Sequence, residues 1–197
     1  MQPTSDLLDL TIRTLLDNLA AEEPAPAGGS CAALAVAMAA SLVCKVARSS
    51  ANWSDSGAAI AQAERLRQRT APLAQSDADA YLEALAAFHL PDQLESEVRD
   101  MALGQVLARA AEIPLVIAEA GADVATLALA AADRGNPELR GDAVAAALLA
   151  DSGTRAAAFL VAANLAVQPD DERVQRAWAV AEVASAAARS ALATAES

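Results

Sequence analysis

Leu7, Leu8, Ile12, Leu15, Leu16 and Leu19 recur at helical spacing between polar positions, which predicts a first amphipathic helix ending before Pro24. A second helix is expected over about 30–51. Its run from Cys31 to Val43 is small and apolar nearly all round and meets no charge until Lys45, so it belongs at the centre of the fold. Asn52 to Gly57 reads as a polar loop holding Trp53. A third helix starts near Ala58, pauses at Pro72, resumes at Ser76-Asp77 and runs to His89-Leu90, where Pro91 stops it. From Asp92 a helical pattern reaches Ala132, and Pro114 within it predicts a kink or a division. Arg134-Gly135-Asn136-Pro137 is a stop signal. The next helix runs from about Gly141-Asp142 to Val167, and Pro169-Asp170-Asp171 opens a last one carrying Val174, Trp178 and Val183.

Composition narrows this pattern to one fold class. Alanine dominates a 197-residue chain that is 55% hydrophobic but only 3% aromatic, and β-branched runs are scarce. The expectation is a single all-α domain over 1–197, a bundle of long, partly kinked antiparallel helices in close contact. More hydrophobic surface than one small core can hold makes a homodimer the expected assembly. A net charge of −12 argues against nucleic acid or an anionic membrane as partner. Cys31 and Cys44 lie about 20 Å apart along one helix, too far for a disulfide, and read as small buried residues of a reducing compartment. No signal-peptide pattern opens the sequence and no run reads as a membrane span, so the expected location is the cytoplasm.

The candidate chemistry centres on Pro24-Ala25-Pro26-Ala27-Gly28-Gly29-Ser30. Two prolines stop one helix, two glycines let the backbone turn or approach a ligand, and Ser30 is placed to cap the next helix. Free N–H groups at a helix start suit a carboxylate, a carbonyl oxygen or an anion, although a plain capped turn is the commoner meaning of such a sequence. His89 is the one histidine and there is no Cys-x-x-Cys, so a zinc site lacks its ligands and no metal is expected. At a helix end, His89 itself reads as a partner of the helix dipole more readily than as a catalytic group. No phosphate-binding glycine loop is present. Lys45, the one lysine, and Arg48 share a helical face and form the best anion site near the second helix. Asp77, Asp79, Glu112 and Asp142 are the acid–base resource; each has a structural reading as a helix-start residue or surface acid. Asn164 falls on the face of Asp142 about six turns on.

Taken in order, these residues resemble one family. Pro24-x-Pro-x-Gly-Gly-Ser30 with Ala-Ala-Leu after Cys31, Asp77-Ala-x-Ala-Tyr81, Phe88-x-Leu-Pro91, Glu112-Ile-Pro114, Gly135-Asn-Pro137, Asp142 and Asn164 follow the order and intervals of the cyclodeaminase/cyclohydrolase family. The similarity spans about residues 5–190. It implies an all-α homodimer that acts on a tetrahydrofolate derivative as substrate and needs no further cofactor. It also implies Gly28, Gly29 and Ser30 at the folate site, Asp77 and Asp142 as its acids, Glu112 as a supporting acid and Asn164 as a polar contact, with Lys45 and Arg48 as further substrate-binding candidates. The chain departs from the family pattern at Ala27, where a glycine is usual, and at Leu160, where an asparagine is usual. It departs again at Ala51-Asn52-Trp53-Ser54, which replaces a lysine-rich tract. The implied activity is hydrolysis of 5,10-methenyltetrahydrofolate to 10-formyltetrahydrofolate. Formiminotetrahydrofolate cyclodeamination and non-catalytic folate binding are the alternatives, and the lack of a formiminotransferase segment in this sequence leans toward the hydrolase.

Overall fold

A nearly uncharged helix at the centre decides the architecture. The computed structural model describes residues 6–88, 96–166, 168 and 170–195, and its described elements are helices with no strand among them. Helix α1 spans Ile12–Ala20, α2 Gly28–Arg48, α3 Ser56–Thr70, α4 Leu73–Phe88, α5 Ser96–Ala110, α6 Glu112–Arg134, α7 Arg140–Asn164 and α8 Glu172–Ala195, with short 3₁₀ turns at Leu7–Asp9 and Pro137–Leu139. His89 and Pro91, on which the expected end of the third helical region rested, lie outside the described residues. The rest agrees in class with the sequence expectation: an all-α bundle of long helices, some of them kinked.

Two differences from the expected boundaries have physical causes, and the division expected at Pro114 is found. The amphipathic stretch over Leu7–Leu19 is divided, because Thr11 takes extended backbone and its side chain accepts from the Thr14 N–H, starting α1 afresh. Helix α1 buries none of its residues, and Ile12 and Leu16 stay 78% and 59% exposed. The pause expected at Pro72 is present between α3 and α4, but the helix resumes at Leu73 rather than at Ser76-Asp77, so Asp77 is an interior helical residue rather than a cap of its own helix. Pro114 divides the long helical pattern at Ala111 and stands in the first turn of α6, where a missing N–H is tolerated.

The core is built from small side chains. Ala33, Ala39, Ala40, Val36 and Val43 of α2 pack against Ala118, Ala125 and Ala128 of α6 and Ala146, Ala150 and Ala157 of α7, all fully buried. Helices α2 and α7 run antiparallel: Lys45 meets Asp142 at one end, Gly153 lies under Val36 midway, and Gly28 faces Leu160 and Asn164 at the other end. A Cβ on Gly153 would stand 2.9 Å from Val36 Cγ2 and 3.0 Å from the Ala32 carbonyl, so glycine sets the spacing of this pair. Helix α8 covers the other side of α7 with alanines, tied by a 2.6 Å hydrogen bond from Ser185 Oγ to Asp151, and leaves Trp178 and Val183 outside. By length and composition, segments 28–48, 101–134 and 137–164 are long and apolar enough to cross a membrane, a property the sequence reading did not credit; half or more of each is buried against neighbouring helices.

The glycines separate packing from helix propensity. Gly153→Ala is expected to lower stability by about 1–3 kcal/mol through overpacking. Gly104→Ala, at an α5 position with open space around it, is expected to raise stability by about 0.5–1 kcal/mol. Urea denaturation of the two variants checks both signs.

Candidate functional site

Helix α2 begins without a cap of its own. Its N-cap position is Ala27, whose side chain accepts no hydrogen bond, so the first-turn N–H groups need partners from elsewhere. Ser30 was expected to serve; instead it lies inside the first turn, fully buried, and its hydroxyl donates to the Ala74 carbonyl of α4 at 2.7 Å. The cap comes from α4. Asp77, one turn beyond Ala74, places its carboxylate over the start of α2 and accepts from the Ser30 backbone N–H. A Cβ on Gly29 would fall inside that carboxylate, so a residue without a side chain is required there. Gly28 has open space around it and forms part of the rim.

A cleft of about 480 Å³ opens beside this contact. Ala27, Gly28 and Gly29 form its floor, Asp77, Tyr81 and Leu85 of α4 one wall, Leu107 and Ala110 of α5 another, and Leu160 and Asn164 of α7 the last. Tyr81 stands one helical turn from Asp77 on the same face and is 46% exposed. Asn164 is fixed by Pro114: the proline has no N–H to give the Ala110 carbonyl four residues back, and Asn164 Nδ2 donates to that carbonyl at 3.2 Å instead. Leu160, one turn before Asn164 on α7, adds an apolar side chain to this wall.

Electrostatics mark Asp77 as the reactive group of the cleft. Burial disfavours its charged form and pushes its pKa from 3.8 up to about 6, against the lowering pull of the Ser30 N–H. It is then largely ionised at neutral pH yet a stronger base than a solvated aspartate. Its field reaches Cys31, whose thiol pKa is raised by burial first and by the Asp77 charge second. The described lining residues include no lysine, arginine or histidine. Among the described residues no cluster of three His, Cys, Asp or Glu side chains is placed to hold a metal ion.

The other sequence candidates stand elsewhere in the chain. Asp142, in the first turn of α7, is held 2.6 Å from Lys45 Nζ at the opposite end of α2, and Arg48 pairs with Glu64 of α3. Glu112 is exposed at the first turn of α6 beside the charge of Arg173. None of the four lines the cleft. A single chain therefore brings Gly28, Gly29, Asp77 and Asn164 together, with Ser30 just behind them, and leaves Lys45, Arg48, Asp142 and Glu112 apart. Tyr81, Leu85 and Leu107 were missing from the sequence candidates. The signal for Tyr81 was present in its four-residue step from Asp77, whereas Leu107 is brought in by tertiary packing alone.

Helical architecture, a glycine floor and a buried carboxylate match one class of proteins. The formiminotransferase-cyclodeaminase family matches residues 11–183, and the chain belongs to that family. It is 32% identical over 163 residues, 78% of each chain, to a methenyltetrahydrofolate cyclohydrolase from Methylorubrum extorquens. The crystal structure of a formiminotetrahydrofolate cyclodeaminase from Thermotoga maritima shares the fold with a TM-score of 0.78 at 22% identity, over 95% of this chain and 94% of that one.

The raised pKa has a definite sign in stability. The folded carboxyl holds its proton more tightly than the unfolded one, so the Asp77 contribution is most favourable below pH 3.8, weakens as pH rises and levels off above about 6. Asp77→Asn removes this dependence. The difference between wild-type and variant stability, measured by denaturation at successive pH values, is expected to change across that window and to be flat above it.

Proposed function

We propose that this chain is an enzyme that hydrolyses 5,10-methenyltetrahydrofolate to 10-formyltetrahydrofolate. The observation that carries the reading is Asp77, a half-buried carboxylate facing a cleft with no basic side chain among its described lining residues, in a chain 32% identical to a named methenyltetrahydrofolate cyclohydrolase. The methenyl bridge is an amidinium cation, electrophilic enough for water to add to it. A carboxylate in a site of low polarity attracts that cation, and a neutral product is held less firmly.

Each group then has a task. Asp77 takes a proton from water as the oxygen bonds to the methenyl carbon. The resulting tetrahedral carbinolamine collapses by breaking its bond to N5 as the Asp77 proton passes to that nitrogen and the hydroxyl proton is lost to water, leaving a formyl group on N10. The uncapped N–H groups of Gly28 and Gly29 suit the carbonyl oxygen that forms. Tyr81 offers a flat aromatic face to the cationic ring system. The bond changes need water and a base, so no cofactor beyond the folate substrate is part of this reading.

Cytoplasmic location and homodimeric assembly belong to the same proposal. Two free thiols, Cys44 buried as expected and Cys31 exposed instead, support a reducing compartment, and the exposed apolar side chains Met38 of α2 and Leu148 and Phe159 of α7 support self-association. The net charge of −12 disfavours nucleic acid and anionic membranes as partners.

Decay of the methenyl absorbance with purified protein, set against spontaneous hydrolysis, tests the activity. The expected result is acceleration that rises with pH through about 6 and falls about a hundredfold in Asp77→Asn. Ammonia release from 5-formiminotetrahydrofolate without methenyl turnover would reassign the site to cyclodeamination. No turnover of either would sink the enzyme reading.

A further inference from the structure

We infer that Arg173 is a positioning residue of the cleft. From the first turn of α8 its guanidinium, fixed by Asp171, caps the Ala108 carbonyl of α5 and so holds the Leu107–Ala110 wall of the cleft that Asp77 faces. The link to catalysis rests on the proposed function; the link to the surroundings of Asp77 does not.

Helix α5 needs such a tie. Among residues 101–110 only Ala110 is buried, and Met101 is 66% exposed. Packing therefore does little to fix this wall, whereas α2, α6 and α7 are locked together by buried alanines. The Arg109–Glu83 pair joins α5 to α4 at 3.2 Å, but both side chains are exposed, and such pairs add little. What remains is the last turn of α5, where Pro114 cannot continue the backbone ladder and leaves carbonyls to other donors. Two side chains answer, one from each side of the turn between α7 and α8. Asn164 donates to the Ala110 carbonyl at 3.2 Å, and Arg173 Nη1 donates to the Ala108 carbonyl at 2.8 Å. Leu107 and Ala110, both lining the cleft, flank that second carbonyl.

The Arg173 contact is aimed by its neighbour. Nε and Nη2 donate to the two carboxylate oxygens of Asp171 at 3.0 and 2.8 Å, and Asp171 Oδ1 also accepts from the Arg173 backbone N–H at 2.9 Å. A two-pronged contact fixes the plane of a guanidinium, so the remaining nitrogen points in one direction. That direction is the Ala108 carbonyl. With side chains 27% and 17% exposed, the pair is sheltered from water as Arg109 and Glu83 are not. The Arg173 side chain first, and its backbone N–H second, hold the Asp171 carboxyl down at about 2, so the fork stays ionised wherever the cleft works. Glu112 adds its charge to Arg173 from the first turn of α6.

The consequence is read at Asp77. Its carboxyl holds its proton tightly because it is buried, and a displaced α5 wall lets water reach it. Around it stand Cys31 of α2 and Tyr81 of its own helix, with no basic side chain among the described lining residues. Removing a nearby cation raises the pKa of an aspartate, whereas admitting water lowers it. A direct charge effect of Arg173 and a positioning effect therefore have opposite signs.

Arg173→Ala and the milder Asp171→Asn test this. In Arg173→Ala the acid limb of kcat/KM is expected to move from about 6 to about 5, with kcat at neutral pH down about threefold as the base weakens. Asp171→Asn is expected to move the limb the same way by less. Guanidinium chloride at millimolar concentration is expected to restore Arg173→Ala and to leave the Arg173→Ala, Asp171→Asn double variant unrestored, because Asp171 is what holds the cation. An acid limb that stays at about 6 or rises in both variants overturns the positioning role. So does guanidinium that fails to restore Arg173→Ala, or that restores it without Asp171. If Arg173→Ala does not fold, the limb of Asp171→Asn alone decides. Failure of the wild-type protein to turn over either folate overturns the proposed activity instead. The Asp77 pKa is then read from the pH dependence of stability, with and without Asp77→Asn, in the Asp171→Asn background, and a window whose upper end stays at about 6 overturns the inference.

Discussion

The contact of the Asp77 carboxylate with the first turn of α2 is the constraint on which the site depends. A half-buried carboxylate needs a donor, and an uncapped helix start needs an acceptor. Each supplies what the other lacks, and the absence of a side chain at Gly29 allows them to meet. The contact fixes α4 to α2 together with the Ser30 hydrogen bond to Ala74. It also sets the chemistry, because burial outweighs the Ser30 N–H and leaves the acid with a pKa near 6. The ionised form proposed for catalysis is thus the form that folding favours less. A base of this strength is retained because the surrounding helices hold it in place.

Those helices are held by small residues. The α2, α6 and α7 layers approach closely where Gly153 faces Val36 and where Gly121 faces Thr154, and alanine fills most of the space between. Close packing of small side chains leaves little room for adjustment, so the ends of α2 and α7 are located firmly. Pro114 adds a local device at the cleft. By withholding one N–H it frees the Ala110 carbonyl, and that carbonyl orients Asn164. A residue expected from sequence only to break a helix therefore also places a side chain of the site.

Fold class was legible because it rests on periodicity and composition, which are local. The long apolar helix, the division at Pro114 and the stop at Gly135-Asn136-Pro137 all follow from residues acting on their own neighbourhood. What was not legible was set between elements. Ser30 has the side chain of a cap, but the capping acid comes from Asp77, 47 positions later in the numbering. Asp77 after Ser76 looks like the start of a helix, yet α4 already begins at Leu73 and turns Asp77 toward α2. The motif order placed Asp77 and Asp142 in one functional group; the coordinates of one chain place Asp142 with Lys45 instead.

Helix α2 works as a rigid spacer in this respect. A helix rises about 1.5 Å per residue, so Gly28 and Lys45 are kept about 25 Å apart. No side-chain rearrangement within one chain brings its ends together, and bending a helix packed on α3, α6 and α7 would open the core. A ligand with a cationic head and an anionic tail needs negative and positive partners at a molecular spacing, and one chain offers them only at that fixed and larger separation. The cleft at the start of α2 is therefore independent of the Lys45–Asp142 pair of the same chain, and a ligand held by Asp77 is bound without it.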